Sequence, residues 1–416
     1  MEQRENGAFV EELLERELAR AHLSSVDRGL CQELIYGVVR WQETLDWLIS
    51  RKVTQKPSKP ALQNLLRLGL YQIFWLDRIP NHAAVHETVE LAKARRLAPQ
   101  AGFVNAVLRG YIRDAAATKR LLEELKRSEP HIGYSHPDWL VARWRKRWSP
   151  EQTAELMDWN NHPPKTFARI NTLKIDPGNL LTRWREEGVE YDFVKKDWLP
   201  ENLMFELKSH PPLSELASFQ QGWFYIQDPS TLLAVQSLGA QPGEAVLDLC
   251  AAPGGKLTYV AQQVRNEARI MAHDVSAERL KLVGENCARL GVTCAHAILP
   301  AALAAQPSAT FDRILVDAPC SNTGVMRRRV DLRWRIQPEE IARLGSVQVD
   351  LLAQAARLLN PRGTLVYSTC SLEPQENEEI VTEFLQTHPG FRLESRRELL
   401  PFVEKVDGAF VAKFVR

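Results

Sequence analysis

With 416 residues, 44% of them hydrophobic and 25% charged, the chain is long enough for two or three globular domains. No stretch approaches the roughly 20 apolar residues of a membrane helix. Six cysteines (31, 250, 287, 294, 320 and 370) are few for this length and form no Cys-x-x-Cys pair, which argues against a disulfide framework and a zinc site. Met1-Glu2-Gln3-Arg4-Glu5-Asn6 carries no basic region followed by an apolar core, so reduced thiols and a cytoplasmic, metal-free protein are expected. The net charge of +1 hides an asymmetry: residues 51–150 hold 19 Lys and Arg against 8 Asp and Glu, a local +11. Clusters at Lys93, Arg95, Arg96 and at Arg143, Arg145, Lys146, Arg147 point to an anionic polymer as partner. In Trp144-Arg145-Lys146-Arg147-Trp148, stacking and phosphate contacts are expected side by side.

Residues 1–130 read as an all-α domain. Apolar residues recur at helical spacing in Leu30, Leu34, Val38 and Trp41, in Leu62, Leu65, Leu66, Leu70 and Ile73, and in Val104, Val107, Leu108 and Ile112. Pro57, Pro60 and Pro80 punctuate these helices. Residues 131–240 are mixed, with strand-like runs at 166–170 and 222–227 and a helix over 179–187, which predicts a small α+β domain. From 241 to 416 strands at 245–250, 269–274, 312–317 and 363–369 alternate with helices such as 276–290 and 338–359. That alternation is the signature of a parallel sheet with covering helices, an α/β Rossmann-like domain. The run 408–415 alternates enough to add a final antiparallel strand.

In such a sheet ligands bind beyond the carboxyl ends of the strands. The strand 245–250 runs into Cys250-Ala251-Ala252-Pro253-Gly254-Gly255-Lys256, whose small residues let backbone N–H groups approach a nucleotide-like ligand, and Asp274 ends the next strand where an acidic residue takes ribose hydroxyls. The turn is neither Gly-x-Gly-x-x-Gly nor a phosphate loop. Cys320, in Asp317-Ala318-Pro319-Cys320-Ser321, and Cys370, in Ser368-Thr369-Cys370-Ser371, each follow a strand end, so both thiols are expected in that crevice. Cys31, Cys250, Cys287 and Cys294 read as inert small hydrophobes in their thiol chemistry.

These segments, with Pro374-Gln375-Glu376-Asn377, resemble the Sun-type family of S-adenosylmethionine-dependent RNA 5-methylcytosine methyltransferases. The likeness extends to Asn105-Ala106-Val107-Leu108-Arg109, Ser135-His136-Pro137-Asp138-Trp139-Leu140, Arg169-Ile170-Asn171, Gln227-Asp228-Pro229-Ser230 and Asp407-Gly408-Ala409-Phe410. It implies a multidomain chain: an all-α domain similar to the antitermination factor NusB, a small α+β RNA-binding middle domain, and a class I methyltransferase domain. It also implies S-adenosylmethionine as cofactor, 16S ribosomal RNA, single-stranded or locally opened, as partner, and a monomer. Cys370 is the implied nucleophile and Cys320 the release residue, with Asp317 on the cytosine ring and Lys256 contributing electrostatically. The cofactor set is then 250–256, Asp274 and Asp317. Where the family has an acidic residue after the third strand, this sequence reads Val292-Thr293-Cys294-Ala295-His296-Ala297, and His296 is the expected substitute. Where the family tends to have His-Pro-Asp, Arg329-Val330-Asp331 stands, and Arg327, Arg328 and Arg329 are expected at phosphates. Another RNA, such as a transfer RNA, and a non-catalytic assembly factor with a degenerate C-terminal domain are the alternatives. DNA is disfavoured by the second thiol in Ser368-Thr369-Cys370.

Overall fold

The computed structural model describes residues 9–53 and 59–416; the N-terminal six residues and the Pro57 breaker lie outside the described residues. The chain divides into two compact units, one of residues 1–163 with 326–335 and one of 164–325 with 336–416.

The first unit is helical: α1 Val10–Arg20, α2 Ser25–Arg40, α3 Gln42–Lys52, α4 Pro60–Trp75, α5 Asn81–Ala94, α6 Ala101–Arg113, α7 Ala115–Ser128, α8 Pro130–Gly133, α9 Asp138–Arg145 and α10 Pro150–Asn161. Local chemistry sets several starts. Ser24 accepts the Asp27 N–H at the head of α2, and Ser149 and Gln152 form a reciprocal capping box at the head of α10, with Pro150 in the first turn. The helical spacing read from the sequence becomes the core, where Leu62, Leu65, Leu66 and Leu70 meet Val104, Val107 and Leu108.

Segment 326–335 completes this unit through polar anchors. Arg333 is fully buried and donates from Nη1 to the carbonyls of Arg40 (3.2 Å) and Ser135 (3.0 Å) and to Asn161 Oδ1 (2.8 Å), and from Nη2 to the Asn160 carbonyl (2.8 Å). Buried Asp331 accepts the Val10 N–H at 3.1 Å and Arg335 Nε at 2.9 Å. Two surface expectations fail here. Arg327 is 2% exposed with its guanidinium 4.0 Å above the Trp159 ring, so it is a packing residue and only Arg329 of the three is exposed. Trp144 is 1% exposed and packs against His136, so it offers no face to a base; its apolar ring belongs to the core side of α9, which leaves Arg145 and Lys146 outside.

The second unit holds two sheets. A four-stranded antiparallel sheet, ordered β2-β3-β1-β4, comprises β1 Thr166–Ile170, β2 Glu190–Phe193, β3 Met204–Ser209 and β4 Phe224–Ile226, with helix α11 Pro177–Glu186 between β1 and β2. The larger sheet is ordered β10-β11-β9-β8-β5-β6-β7. Its parallel part is β5 Ala245–Asp248, β6 Arg269–His273, β7 Ala295–Ile298, β8 Phe311–Asp317 and β9 Leu359–Thr369; β11 Ala409–Val415 and β10 Arg392–Leu399 close it antiparallel.

Alternation along the central strands feeds a core on each face. Val246, Leu315 and Val366 join one apolar cluster, while Leu247, Ile314, Val316, Leu365 and Tyr367 join the other. Both sheet faces are therefore dry, and the near-continuous apolar runs of β8 and β9 follow from that. Because β6 and β7 lie to one side of β5 and β8 and β9 to the other, the strand order reverses between β5 and β8, and the crevice at their carboxyl ends is where such folds bind ligands.

Candidate active site

The turn after β5 is built for close backbone approach. Gly254 has φ +103°, a conformation a side chain resists, and helix α12 Gly255–Gln263 starts from it. The turn is fixed from outside: Ala251 N–H donates to the His273 carbonyl (2.8 Å), Arg279 Nη2 to the Ala252 carbonyl (3.0 Å) and Asn286 Nδ2 to the Pro253 carbonyl (2.9 Å). Cys250 is half-buried, Ala251 and Ala252 are buried, and Pro253 is exposed. Burial first, then the Asp248, Asp317 and Asp274 carboxyls, pushes the Cys250 thiol up, so it stays protonated. Asp274, 3% exposed, accepts Ser276 N–H at 3.1 Å and lies 3.4 Å from Arg279 Nη1 at the end of β6.

Asp317, the last residue of β8, receives Lys256 Nζ on Oδ2 at 2.5 Å and Ser368 Oγ on Oδ1 at 2.7 Å. Burial opposes the Lys256 charge, but the Asp317 carboxylate, through its field and its hydrogen bond, more than offsets it and holds the ammonium above its usual range. Cys320 and Cys370 face each other across the same strand pair with 3.4 Å between sulfurs. Cys370 is half-buried and donates from Sγ to Asn322 Oδ1 at 3.1 Å; Asn322 Nδ2 donates to the Cys320 carbonyl at 2.6 Å, which fixes the orientation of that amide. Cys320 is buried, and its hydrogen bond with Cys370, then burial, then the charges of Cys370 and Glu376 hold its thiol well above the ordinary range. Gly324 and Gly408 lie back to back under the thiols. A Cβ on Gly324 would come 2.7 Å from the Cys370 carbonyl oxygen and 2.8 Å from Gly408 Cα, which is why two separate motifs both carry glycine.

Two functional positions carried a sequence signal without an assigned role. Asp248, 2% exposed at the end of β5, has Oδ1 without a hydrogen-bond partner, and burial followed by Asp317 raises its carboxyl to about 7. Its position directly before the glycine turn is the feature that marks it. Arg169 of β1 is 1% exposed and donates from Nη1 to Gln227 Oε1 (2.5 Å) and the Gly255 carbonyl (2.8 Å), and from Nη2 to Thr258 Oγ1 (3.1 Å). The small sheet thus grips the first turn of α12, and Asn171 adds bonds to the Gly222 and Leu290 carbonyls.

His296 does not join this group. It lies inside β7, opposite Met271, and its ring is on the exposed edge of the sheet. Pairing of His273 with Ile298 puts Leu299, 55% exposed, at the level of Asp274, so an apolar side chain occupies the position after the third strand.

The family described as 16S rRNA methyltransferase RsmB/F matches residues 235–415, the NusB family matches 1–113, and the ferredoxin-like domain of RsmF/B-like methyltransferases matches 136–208. The probable ribosomal RNA small subunit methyltransferase B of Bacillus subtilis is 38% identical over 411 residues, 96% of this chain and 90% of its own. Ribosomal RNA small subunit methyltransferase B of Klebsiella pneumoniae is 37% identical over 95% of this chain and 91% of its own. A crystal structure of a methyltransferase homolog protein from Pyrococcus horikoshii, 30% identical, superposes with a TM-score of 0.59 over 71% of this chain and 99% of its own. A NusB-type helical domain, a ferredoxin-like middle domain and a Rossmann-like catalytic domain, together with this degree of identity along nearly the whole length, place the chain in the RsmB/F family of ribosomal RNA methyltransferases.

Proposed function

We propose that this RNA methyltransferase modifies carbon 5 of a cytosine in 16S ribosomal RNA through a covalent bond between Cys370 and the base. The observation that carries this reading is the pair of thiols 3.4 Å apart, delivered by two strand ends beside the Lys256–Asp317 pair. Carbon 5 of cytosine is a weak nucleophile, and addition of a thiolate at carbon 6 makes it reactive. Cys370, the half-exposed thiol, gives its proton to solvent and attacks as the thiolate: its sulfur bonds to carbon 6 and the C5=C6 electron pair moves into the ring, where the Lys256 ammonium faces the developing charge and Asp317 accepts from the base.

S-adenosylmethionine, when bound, supplies an electrophilic methyl group on sulfonium sulfur. The residues present fit it. The unpartnered Oδ1 of buried Asp248 offers an acceptor for its ammonium, the turn 250–256 offers N–H groups at a helix start, and Asp274 stands at the end of β6 for ribose hydroxyls. Carbon 5 would take that methyl as the S–CH3 bond breaks, the bonding pair staying on the departing neutral sulfur. Cys320, having first released its own thiol proton to solvent, then removes the carbon-5 proton as a thiolate; the electrons of that C–H bond re-form C5=C6, and Cys370 leaves as thiolate. A base inside a duplex cannot reach these sulfurs, so the target is unpaired or flipped. The domains are read as 1–130 NusB-like, 131–240 RNA-binding and 241–416 catalytic.

Incubation with methyl-labelled S-adenosylmethionine and unmodified small-subunit rRNA, followed by mapping, should place label on carbon 5 of a cytosine. Label on another base or on transfer RNA alone would sink the proposal.

A further inference from the structure

Directly behind the thiols lies a carboxylate that the reaction does not consume. Glu376, in the 3-10 turn Pro374–Glu376, is 0% exposed. Its Oε1 accepts the Ser321 backbone N–H (2.8 Å) and Gln348 Nε2 (3.1 Å), and its Oε2 accepts the Ser371 hydroxyl (2.5 Å) and the Ser321 hydroxyl. None of these four donors is a cation. A buried carboxylate held only by neutral donors is costly, and a glutamine or an apolar residue would normally serve a purely structural turn more cheaply.

The donors explain the expense. Ser321 directly follows Cys320 and Ser371 directly follows Cys370, and the two hydroxyls are 3.0 Å apart. One carboxylate therefore clamps together two strand ends that are 50 residues apart in sequence. Gln348 extends the clamp, because the same Nε2 donates to the Pro319 carbonyl just before Cys320. The opposite side is held by Tyr367, whose hydroxyl donates to the Glu376 carbonyl at 2.6 Å.

We propose that Glu376 is a positioning residue of the two-thiol reaction: by holding Ser321 and Ser371 together it sets the separation of Cys320 and Cys370. The proposal rests on the two-thiol reading above. Geometry carries the positioning, and the carboxylate charge adds a second, separable effect. Hydrogen bonding fixes where the sulfurs sit, and loss of the clamp lets them drift; misplacement by about 1 Å costs roughly 10²-fold in rate. Negative charge in a buried setting disfavours a second anion nearby: the Glu376 carboxyl, itself raised by burial, accepts the N–H of the residue next to Cys320 and adds to the Cys370 hydrogen bond, burial and the Cys370 charge in holding that thiol up.

Two variants separate the parts. Glu376→Gln keeps the shape and most of the bonds, because the serine hydroxyls can turn to accept from its amide, but it removes the charge. Glu376→Ala removes both. Cys320 alkylation by iodoacetamide, measured against pH in a Cys370→Ala background, should be roughly three- to tenfold faster at neutral pH with Glu376→Gln, a shift of about half to one pKa unit. Adduct formation with RNA by the otherwise intact enzyme should fall about 10²-fold with Glu376→Ala and far less with Glu376→Gln. A residue that only stabilised the turn would leave the Cys320 titration in place. Unchanged Cys320 alkylation in Glu376→Gln together with unchanged adduct formation in Glu376→Ala, in a protein whose cysteine variants behave as the two-thiol reading requires, overturns the positioning proposal alone. Full methylation by the Cys370→Ala parent would instead overturn the underlying reading.

Discussion

Asp248→Asn tests the electrostatics of the crevice without altering its shape. Burial, then Asp317, raises the Asp248 carboxyl from its ordinary 3.8 to about 7, so the folded chain holds this proton more tightly than the unfolded chain does. Ionisation of Asp248 consequently opposes folding. The opposition is absent below about pH 4, grows by about 1.4 kcal/mol per pH unit up to about pH 7, and levels off above it at no more than about 4 kcal/mol. Asparagine carries no charge and escapes this term. In urea unfolding of the ligand-free protein, the stability of Asp248→Asn relative to the parent should therefore improve by roughly 2–4 kcal/mol between pH 4.5 and pH 8, whatever constant offset the amide introduces. The same variant should bind S-adenosylmethionine about 10- to 100-fold more weakly, since an amide loses the charge-assisted bond to its ammonium. A stability difference that is flat across this pH range would mean that Asp248 is ionised throughout, and the burial argument would be wrong.

Asp274→Ala should weaken S-adenosylmethionine binding while leaving RNA affinity nearly unchanged, as read by calorimetric titration with each ligand; equal cofactor affinity would remove Asp274 from the site. Charge removal at the exposed Arg145 and Lys146 should lower RNA affinity and flatten its salt dependence by about 0.7 per lost phosphate contact, whereas affinity unchanged at every salt concentration would mark them as solvated surface. Arg333→Met should cost the helical unit about 3–5 kcal/mol, because four buried acceptors lose their donor, and a thermal midpoint unchanged from the parent would contradict that burial.

The parallel sheet was legible because both of its faces are buried, which leaves strands such as Ile314-Leu315-Val316 and Leu365-Val366-Tyr367 as apolar runs at regular intervals. Strand β10 escaped because it is an edge: Arg392–Leu399 is mostly charged and half of it is exposed, and its pairing with β11 is a tertiary fact. The same limit misplaced His296. Only the register of β7 against β6 shows that 295–298 is strand and that Leu299 follows it. Spacing after strand ends located Cys320, Cys370, Asp317 and the glycine turn, since the topology of the fold makes those positions converge. It could not reveal Arg169 or Glu376 as contacts, because both act across long separations through hydrogen bonds to backbone groups and to Gln, Ser and Thr side chains. Aromatic interleaving at 144–148 misled for a related reason: one face of α9 is core, and alternation with arginine does not tell which.

Division of labour between the two thiols is the central claim, and a denaturing gel of protein incubated with labelled RNA and S-adenosylmethionine reads it directly. Cys370→Ala should form no adduct and no product, because no sulfur attacks carbon 6. Cys320→Ala should add to the base but stall before release, so protein should accumulate covalently joined to RNA, and the double variant should form none. An adduct appearing with Cys370→Ala and not with Cys320→Ala would reverse the assignment, and full methylation by both single variants would contradict covalent catalysis altogether.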